Sequence, residues 1–277
     1  MNVGRFFAGK SVLITGASSG IGRTLALQLG AAGALLTLCA RRPELLTTLA
    51  DEVAAHGAVR PLLCVCDVRQ EGDLEQAVVS AIRTFSKLDV VFANAGFGVV
   101  GYFERLSVVD YRRQFETNVF GVLATLKACQ AEIARSRGSF VIMGSVAGYC
   151  ATPGNSPYCM SKFALRGLAE SITPELARIG VSVTLISPGF VVSNIRKVDN
   201  AGRFHAEAPD PIPGWLALDT ERACRRILRA TALHRPEAIL TAHGKLLVVI
   251  ERFAPWILRS IGRRMAALGR GHRSEAS

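Results

Sequence analysis

Residues 11–22 read SVLITGASSGIG. The run opens as a short apolar, β-branched stretch that ends in glycine, the pattern of a buried strand. Three glycines follow, Gly16, Gly20 and Gly22, spaced G-x-x-x-G-x-G. Residues 21–33, IGRTLALQLGAAG, then show helical apolar spacing with a glycine stop. The order is strand, glycine loop, helix. Glycines permit a tight turn and a close backbone approach, and the helix behind them aims unpaired N–H groups at an anion. Ser18 and Ser19 suit either the cap of that helix or the oxygens of a phosphate. Glycine-rich turns are common, but one set between a first strand and a first helix predicts a pyrophosphate site.

Outward from this loop the alternation continues. Strands are predicted at 34–40, within 59–68, and at 88–96, 139–145, 181–189 and 237–242. Helices are predicted at 43–57, 71–87, 108–138 (one long helix), 158–180 with Pro174 as a bend, and 220–232. Strand and helix in strict alternation predict a Rossmann-like, doubly wound α/β fold. It has a seven-stranded parallel sheet between two helix layers, joined by right-handed crossovers. The expected division is a nucleotide-binding catalytic domain over 1–243 and a basic amphipathic extension over 244–277. The first residues are expected to run straight into the first strand, with no signal peptide.

Composition narrows the function. Of 277 residues, 49% are hydrophobic, enough for a large core. Seven scattered cysteines without a framework predict reduced thiols in a cytoplasmic setting. Cys64 and Cys66 would share a strand face, but no His or Cys cluster completes a zinc site, so no metal is expected. The net charge of +11 asks for an anionic partner. Residues 245–273 hold seven Lys or Arg against one Glu, so the charge is concentrated there. Without a recognition motif, nucleic acid is not the expected partner.

The second strand ends in CARRP (39–43), where a dinucleotide fold usually carries an acidic residue for the adenosine ribose. Here Arg41 and Arg42 stand instead. Guanidinium suits a 2′-phosphate, which favours NADP(H) over NAD(H). Asp67, closing the third strand, is placed to meet the adenine amino group.

Residues 156–167, SPYCMSKFALRG, put Tyr158 four positions before Lys162, one helical turn apart on one face. An ammonium beside a phenol favours phenolate and moves the phenol toward acid–base work near neutral pH. With TGASSGIG (15–22), NAG (94–96), Asn118, Ser145, the Tyr158–Lys162 pair and Pro188-Gly189, the chain resembles the compact branch of the short-chain dehydrogenase/reductase family. The resemblance implies Asn118, Ser145, Tyr158 and Lys162 as catalytic residues: Tyr158 donates the proton, Lys162 tunes it and holds the nicotinamide ribose, and Ser145 bonds the substrate oxygen. Asn118 is expected to hold a water linking Lys162 to solvent. It implies cofactor contacts at Thr15, Gly16, Ser18, Ser19, Gly20, Ile21, Gly22, Arg41, Arg42, Asp67, Val68, Asn94, Ala95, Gly96, Tyr158, Lys162, Pro188, Gly189, Val191 and Ser193. Ser19 departs from the pattern, since NADP-preferring members often carry a basic residue there.

The activity so implied is carbonyl–alcohol interconversion on an apolar, lipid-like substrate; the competing expectation is a catalytically silent NADP(H)-binding sensor. Residues 189–215 read as a long loop over the substrate, with Phe97, Val99, Val100, Phe190 and Trp215 as candidate pocket lining. Residues 244–273 mix apolar runs with Arg252, Arg259, Arg263 and Arg264, broken by Pro255. That pattern fits peripheral contact with an anionic membrane, or a helix docked on the sheet or on a sister subunit. The family also implies a homodimer or homotetramer.

Overall fold

β1 (Ser11–Thr15) is buried along its whole length, because it is an interior strand of a sheet whose two faces are both covered by helices. The computed structural model describes residues 3–55, 57–192, 199–200, 207 and 212–271, with side chains described through Arg264. In chain order the elements are α1 (Val3–Phe7), β1, α2 (Gly20–Ala31), β2 (Leu35–Ala40), α3 (Pro43–Ala55), β3 (Leu62–Val65), α4 (Asp73–Phe85) and β4 (Val90–Ala93). Then come α5 (Val108–Phe115), a π-helical turn (Glu116–Phe120), α6 (Gly121–Ser136), β5 (Ser139–Met143), α7 (Ser156–Ala177), β6 (Ser182–Ser187), α8 (Thr220–Ala232), β7 (Glu237–Ile239), α9 (Ala242–Phe253) and α10 (Pro255–Gly271).

The seven strands lie in the order β3-β2-β1-β4-β5-β6-β7, each pair parallel. Alternate strand residues feed two cores. Val12 and Ile14 meet Leu25 and Leu29 of α2, Leu46 and Leu49 of α3 and Ile227 of α8. Leu13 meets Leu74 of α4, Leu126 of α6 and Leu165 of α7 on the other face. The strand order reverses between β1 and β4, which opens a crevice at their C-terminal ends.

Two features depart from the sequence expectation and two others sharpen it. The N-terminal residues form a short helix before β1, anchored by the fully buried Phe7; five residues are too few to show periodicity. The long helix at 108–138 is interrupted by the π-helical turn, whose Asn118 is held from the side by the chain after β4. α7 runs on past Pro174, which lies in its last turn, to Ala177. The C-terminal residues are not all free. Leu247, Val248 and Leu258 pack on Val146, Tyr149 and Cys150, so α9 and α10 dock beside the fifth strand's exit. Their outer side leaves Leu246, Val249, Phe253, Trp256, Ile257 and Ile261 exposed.

Candidate active site

The glycine loop is built by close contacts. Gly16 has a φ of +65°, a left-handed conformation that favours glycine. A Cβ on Gly22 would lie 2.4 Å from the Gly16 carbonyl and 2.6 Å from Asn94 Nδ2. Asn94 closes the loop from β4: Nδ2 donates to Thr15 O at 2.9 Å and Gly16 O at 3.2 Å. The Asn94 and Ala95 N–H groups donate to Thr15 Oγ1 at 3.0 and 3.1 Å. Thr15 and Asn94 are therefore struts that shape the loop, and Thr15 is fully buried. Ser19 is the N-cap of α2 and makes no side-chain cap. The dipole and N–H groups of that terminus face the crevice, a fit for a pyrophosphate.

Arg42 reaches back from the end of β2, its Nη2 donating to Ser18 Oγ at 3.3 Å, and Arg41 is exposed beside it. Asp67 stands at the end of β3 as expected, but Arg69 claims its carboxylate. Arg69 Nε donates to Oδ1 at 3.0 Å and the backbone N–H of Arg69 to Oδ1 at 3.1 Å. These bonds hold the Asp67 carboxyl below its ordinary range. Val68 is buried against Gly121 at the start of α6, a packing role. Ile21 packs against the core on the α2 face.

The second half of the site gathers around α7. Lys162 is buried, with 7% of its surface exposed. Its Nζ donates to Met143 O at 2.7 Å and lies 5.5 Å from the Tyr158 ring centre. Burial pulls the Lys162 ammonium from 10.5 down to about 8. Ser145 caps the turn after β5, its Oγ accepting from Ala147 N at 3.1 Å, and the neighbouring Val146 N donates to Pro188 O at 2.9 Å.

Asn118 spends its carboxamide on the chain after β4. Its carboxamide makes a two-way bond with the Phe97 peptide: Oδ1 accepts from Phe97 N at 3.1 Å, and Nδ2 donates to Phe97 O at 2.9 Å. Gln114, also buried, repeats the device, accepting from Val99 N at 2.6 Å and donating to Phe97 O at 2.9 Å. Together they fix the segment from Gly96 to Val99, whose Gly98 lies beside the Tyr158 ring.

Several contributors were not singled out in the sequence. Asn200 bonds to the chain after β4: Oδ1 accepts from Val100 N at 2.9 Å and Nδ2 donates to Val100 O at 2.8 Å. His243, in the first turn of α9, accepts from Phe190 N at 3.3 Å and stacks on the Phe190 ring at 5.5 Å. Thr241 and His243 press directly on Gly189. Val191 bridges to Leu218 and is buried in the core. Among the candidate lining residues, Val99 is fully buried, while Trp215 is 86% exposed and stands in solvent. Ser193 lies outside the described residues.

A parallel sheet with a glycine turn at its switch point, facing a buried lysine and a tyrosine, defines the Rossmann class of nucleotide-binding folds. The sequence model of the short chain dehydrogenase family matches residues 10–203, and the chain belongs to the short-chain dehydrogenase/reductase family. It is 35% identical over 190 residues to dehydrogenase/reductase SDR family member 7B of Bos taurus, covering 66% of this chain and 58% of that protein. It is 34% identical over 191 residues to 11-beta-hydroxysteroid dehydrogenase A of Arachis hypogaea, covering 69% and 54% respectively. The chain thus spans little more than half the length of these curated relatives. A short chain dehydrogenase/reductase from Burkholderia phymatum, solved in complex with NAD, superposes with a TM-score of 0.80 at 25% identity, over 89% of this chain and 94% of that one.

Proposed function

We propose that the protein is an oxidoreductase that interconverts a carbonyl and a secondary alcohol on an apolar substrate, using NADP(H) in preference to NAD(H). The observation that carries this reading is the buried Lys162 ammonium one helical turn from Tyr158, at the same sheet edge as the glycine loop.

A bound nicotinamide dinucleotide supplies or accepts the hydride. The protein's own residues do the rest. The turn from Gly16 to Gly22 holds the pyrophosphate against the start of α2. Tyr158 passes a proton between its hydroxyl and the substrate oxygen, and the nearby cation favours the phenolate that this transfer creates. Ser145 orients that oxygen. Asn118 is a positioning residue, fixing Phe97 beside the reacting groups. Lys162, released from the Met143 carbonyl, holds the ribose.

The NADP(H) preference rests on Arg41 and Arg42 at the end of β2. Arg42 already leans on the loop through Ser18, and the Asp67 carboxylate at the end of β3 is paired with Arg69. The apolar substrate class is supported by likeness to a protein named as a hydroxysteroid dehydrogenase. Phe120, Met160 and Phe163 are exposed along the π turn and α7, which supports a homodimer through that face. Among the described residues no helix is long and apolar enough to cross a membrane. The exposed apolar side chains of α9 and α10, interspersed with Lys245, Arg252, Arg259, Arg263 and Arg264, support peripheral contact with anionic lipid.

The test follows NADPH absorbance during incubation with a panel of apolar ketones. Turnover is expected, and Arg42→Ala should weaken NADPH binding about tenfold or more with little effect on NADH. Tight NADPH binding without turnover on any carbonyl would make the protein a sensor; equal losses for both nucleotides would remove the phosphate preference.

A further inference from the structure

Three thiols lie together on one face of the sheet, beneath the strand ends that carry Arg41, Arg42 and Asp67. Cys39 of β2 is the register partner of Cys64 of β3. Cys66, two residues on, points to the same face. Cys39 and Cys66 are buried in the α4-side core, and Cys64 packs against that core while remaining partly exposed on the sheet's edge strand. Among the described residues no His, Cys, Asp or Glu cluster is arranged to hold a metal ion. The chemistry open to these thiols is therefore oxidation.

The pair is polarised. A hydrogen bond from Cys39 holds the Cys64 thiol below its ordinary value, while the bonds with Cys64 and Cys66, with burial, push Cys39 well above. The outer sulfur is the better thiolate and the inner one keeps its proton. Neighbouring strands are about 4.8 Å apart, inside the Cα separation of roughly 4.4–6.8 Å that a disulfide accepts.

We propose that Cys64 and Cys39 form a reversible oxidation site for hydroperoxides, with Cys64 as the attacking sulfur and Cys39 as the resolving one. The Cys64 thiolate attacks the O–O bond and becomes a sulfenic acid as the hydroperoxide's other oxygen leaves as the alcohol, or as water from hydrogen peroxide. The Cys39 sulfur then attacks Cys64, losing its proton, and the sulfenic oxygen leaves as water. Two thiols lose two electrons and two protons, and one hydroperoxide is reduced.

The bridge has a mechanical consequence. A disulfide needs its Cβ atoms about 3.8 Å apart, closer than the strand spacing. Closing it draws the ends of β2 and β3 together and displaces Arg41, Arg42 and Asp67, which follow Cys39 and Cys66 within three residues. A bridge made under such strain is readily reduced again. This consequence rests on the proposed dinucleotide site; the thiol chemistry does not.

The experiment treats the full-length protein with hydrogen peroxide, digests it with trypsin without reductant, and measures the NADPH dissociation constant before and after. The expected result is a bond between peptides 24–41 and 42–69, placed on Cys64 by fragmentation, reversed by dithiothreitol and absent in Cys64→Ser. In Cys39→Ser, dimedone should capture a sulfenic acid on Cys64. The oxidised protein should bind NADPH about tenfold more weakly. No link between these peptides, or a link that persists in Cys64→Ser, overturns the site; unchanged NADPH affinity in the bridged protein overturns its coupling to the nucleotide. A bridge that forms in a protein binding no NADPH in either state would uphold the thiol site and sink the nucleotide reading.

Discussion

Lys162 keeps an ammonium in a place that burial makes expensive. The fall from 10.5 to about 8 corresponds to ~3 kcal/mol at about 1.4 kcal/mol per pKa unit. Between those two values the unfolded chain binds the proton that the folded one has lost, so stability rises with pH through that window and carries the full cost below it. Lys162→Met is therefore expected to abolish turnover yet raise the melting temperature at pH 7 by several degrees. Calorimetry beside an activity assay checks this; a variant that melts below the wild type would contradict it. The same titration sets an alkaline limit on catalysis. If the ammonium is the working form, kcat/KM should decline above about pH 8.

At the scale of elements, α9 is tied to the chain after β6 by one histidine. His243 Nε2 accepts from Phe190 N, and Thr241 Oγ1 lies 3.1 Å from the same nitrogen. Protonation would remove the lone pair that accepts from Phe190 N, and the new N–H could donate only to Thr241 Oγ1. Burial lowers the His243 pKa, so the neutral form and its bond hold at neutral pH and are lost as pH falls through that depressed value. KM should rise on the acid side with kcat nearly constant. His243→Phe, which keeps the stack on Phe190 but removes the acceptor, should give a KM without that acid rise. A wild-type profile in this variant would rule out the latch.

Such contacts mark the limit of what the sequence made legible. The strands and the Tyr158–Lys162 pair could be read because their signals are local: continuous apolar runs, a glycine turn and a four-residue helical spacing. Phe190 and His243 are 53 residues apart, and Val100 and Asn200 are 100 apart. No periodicity joins them. No local signal marks the π turn, because its cause, the Phe97 peptide held by Asn118, belongs to another element. The tail was legible as amphipathic, but the choice between docking and exposure was not. The structure divides it by face: Leu247, Val248 and Leu258 go inward, and Phe253 and Trp256 outward.

For the molecule as a whole, the +11 charge and the outward face of α9 and α10 bear on where it works. Phe253 is 72% exposed and Trp256 64% exposed, with Arg252 beside the Phe253 ring. Aromatic side chains flanked by arginine suit the boundary of an anionic bilayer. Co-sedimentation with phosphatidylglycerol vesicles is expected to exceed that with phosphatidylcholine several-fold and to weaken with salt. The double variant Phe253→Glu, Trp256→Glu should lose it while keeping turnover on a water-soluble ketone. Equal sedimentation of this variant, or loss of dimer instead of lipid binding, would reassign the face to a sister subunit.

The most direct measurement concerns one hydroxyl. Tyr158→Phe removes only the hydroxyl whose proton the proposed reaction passes to the substrate oxygen, and leaves the ring, α7 and the glycine loop in place. NADPH binding followed by fluorescence, with NADPH consumption on an active ketone, should show an unchanged dissociation constant and a rate lower by at least about a thousandfold. A variant that still consumes NADPH at the wild-type rate would contradict the account.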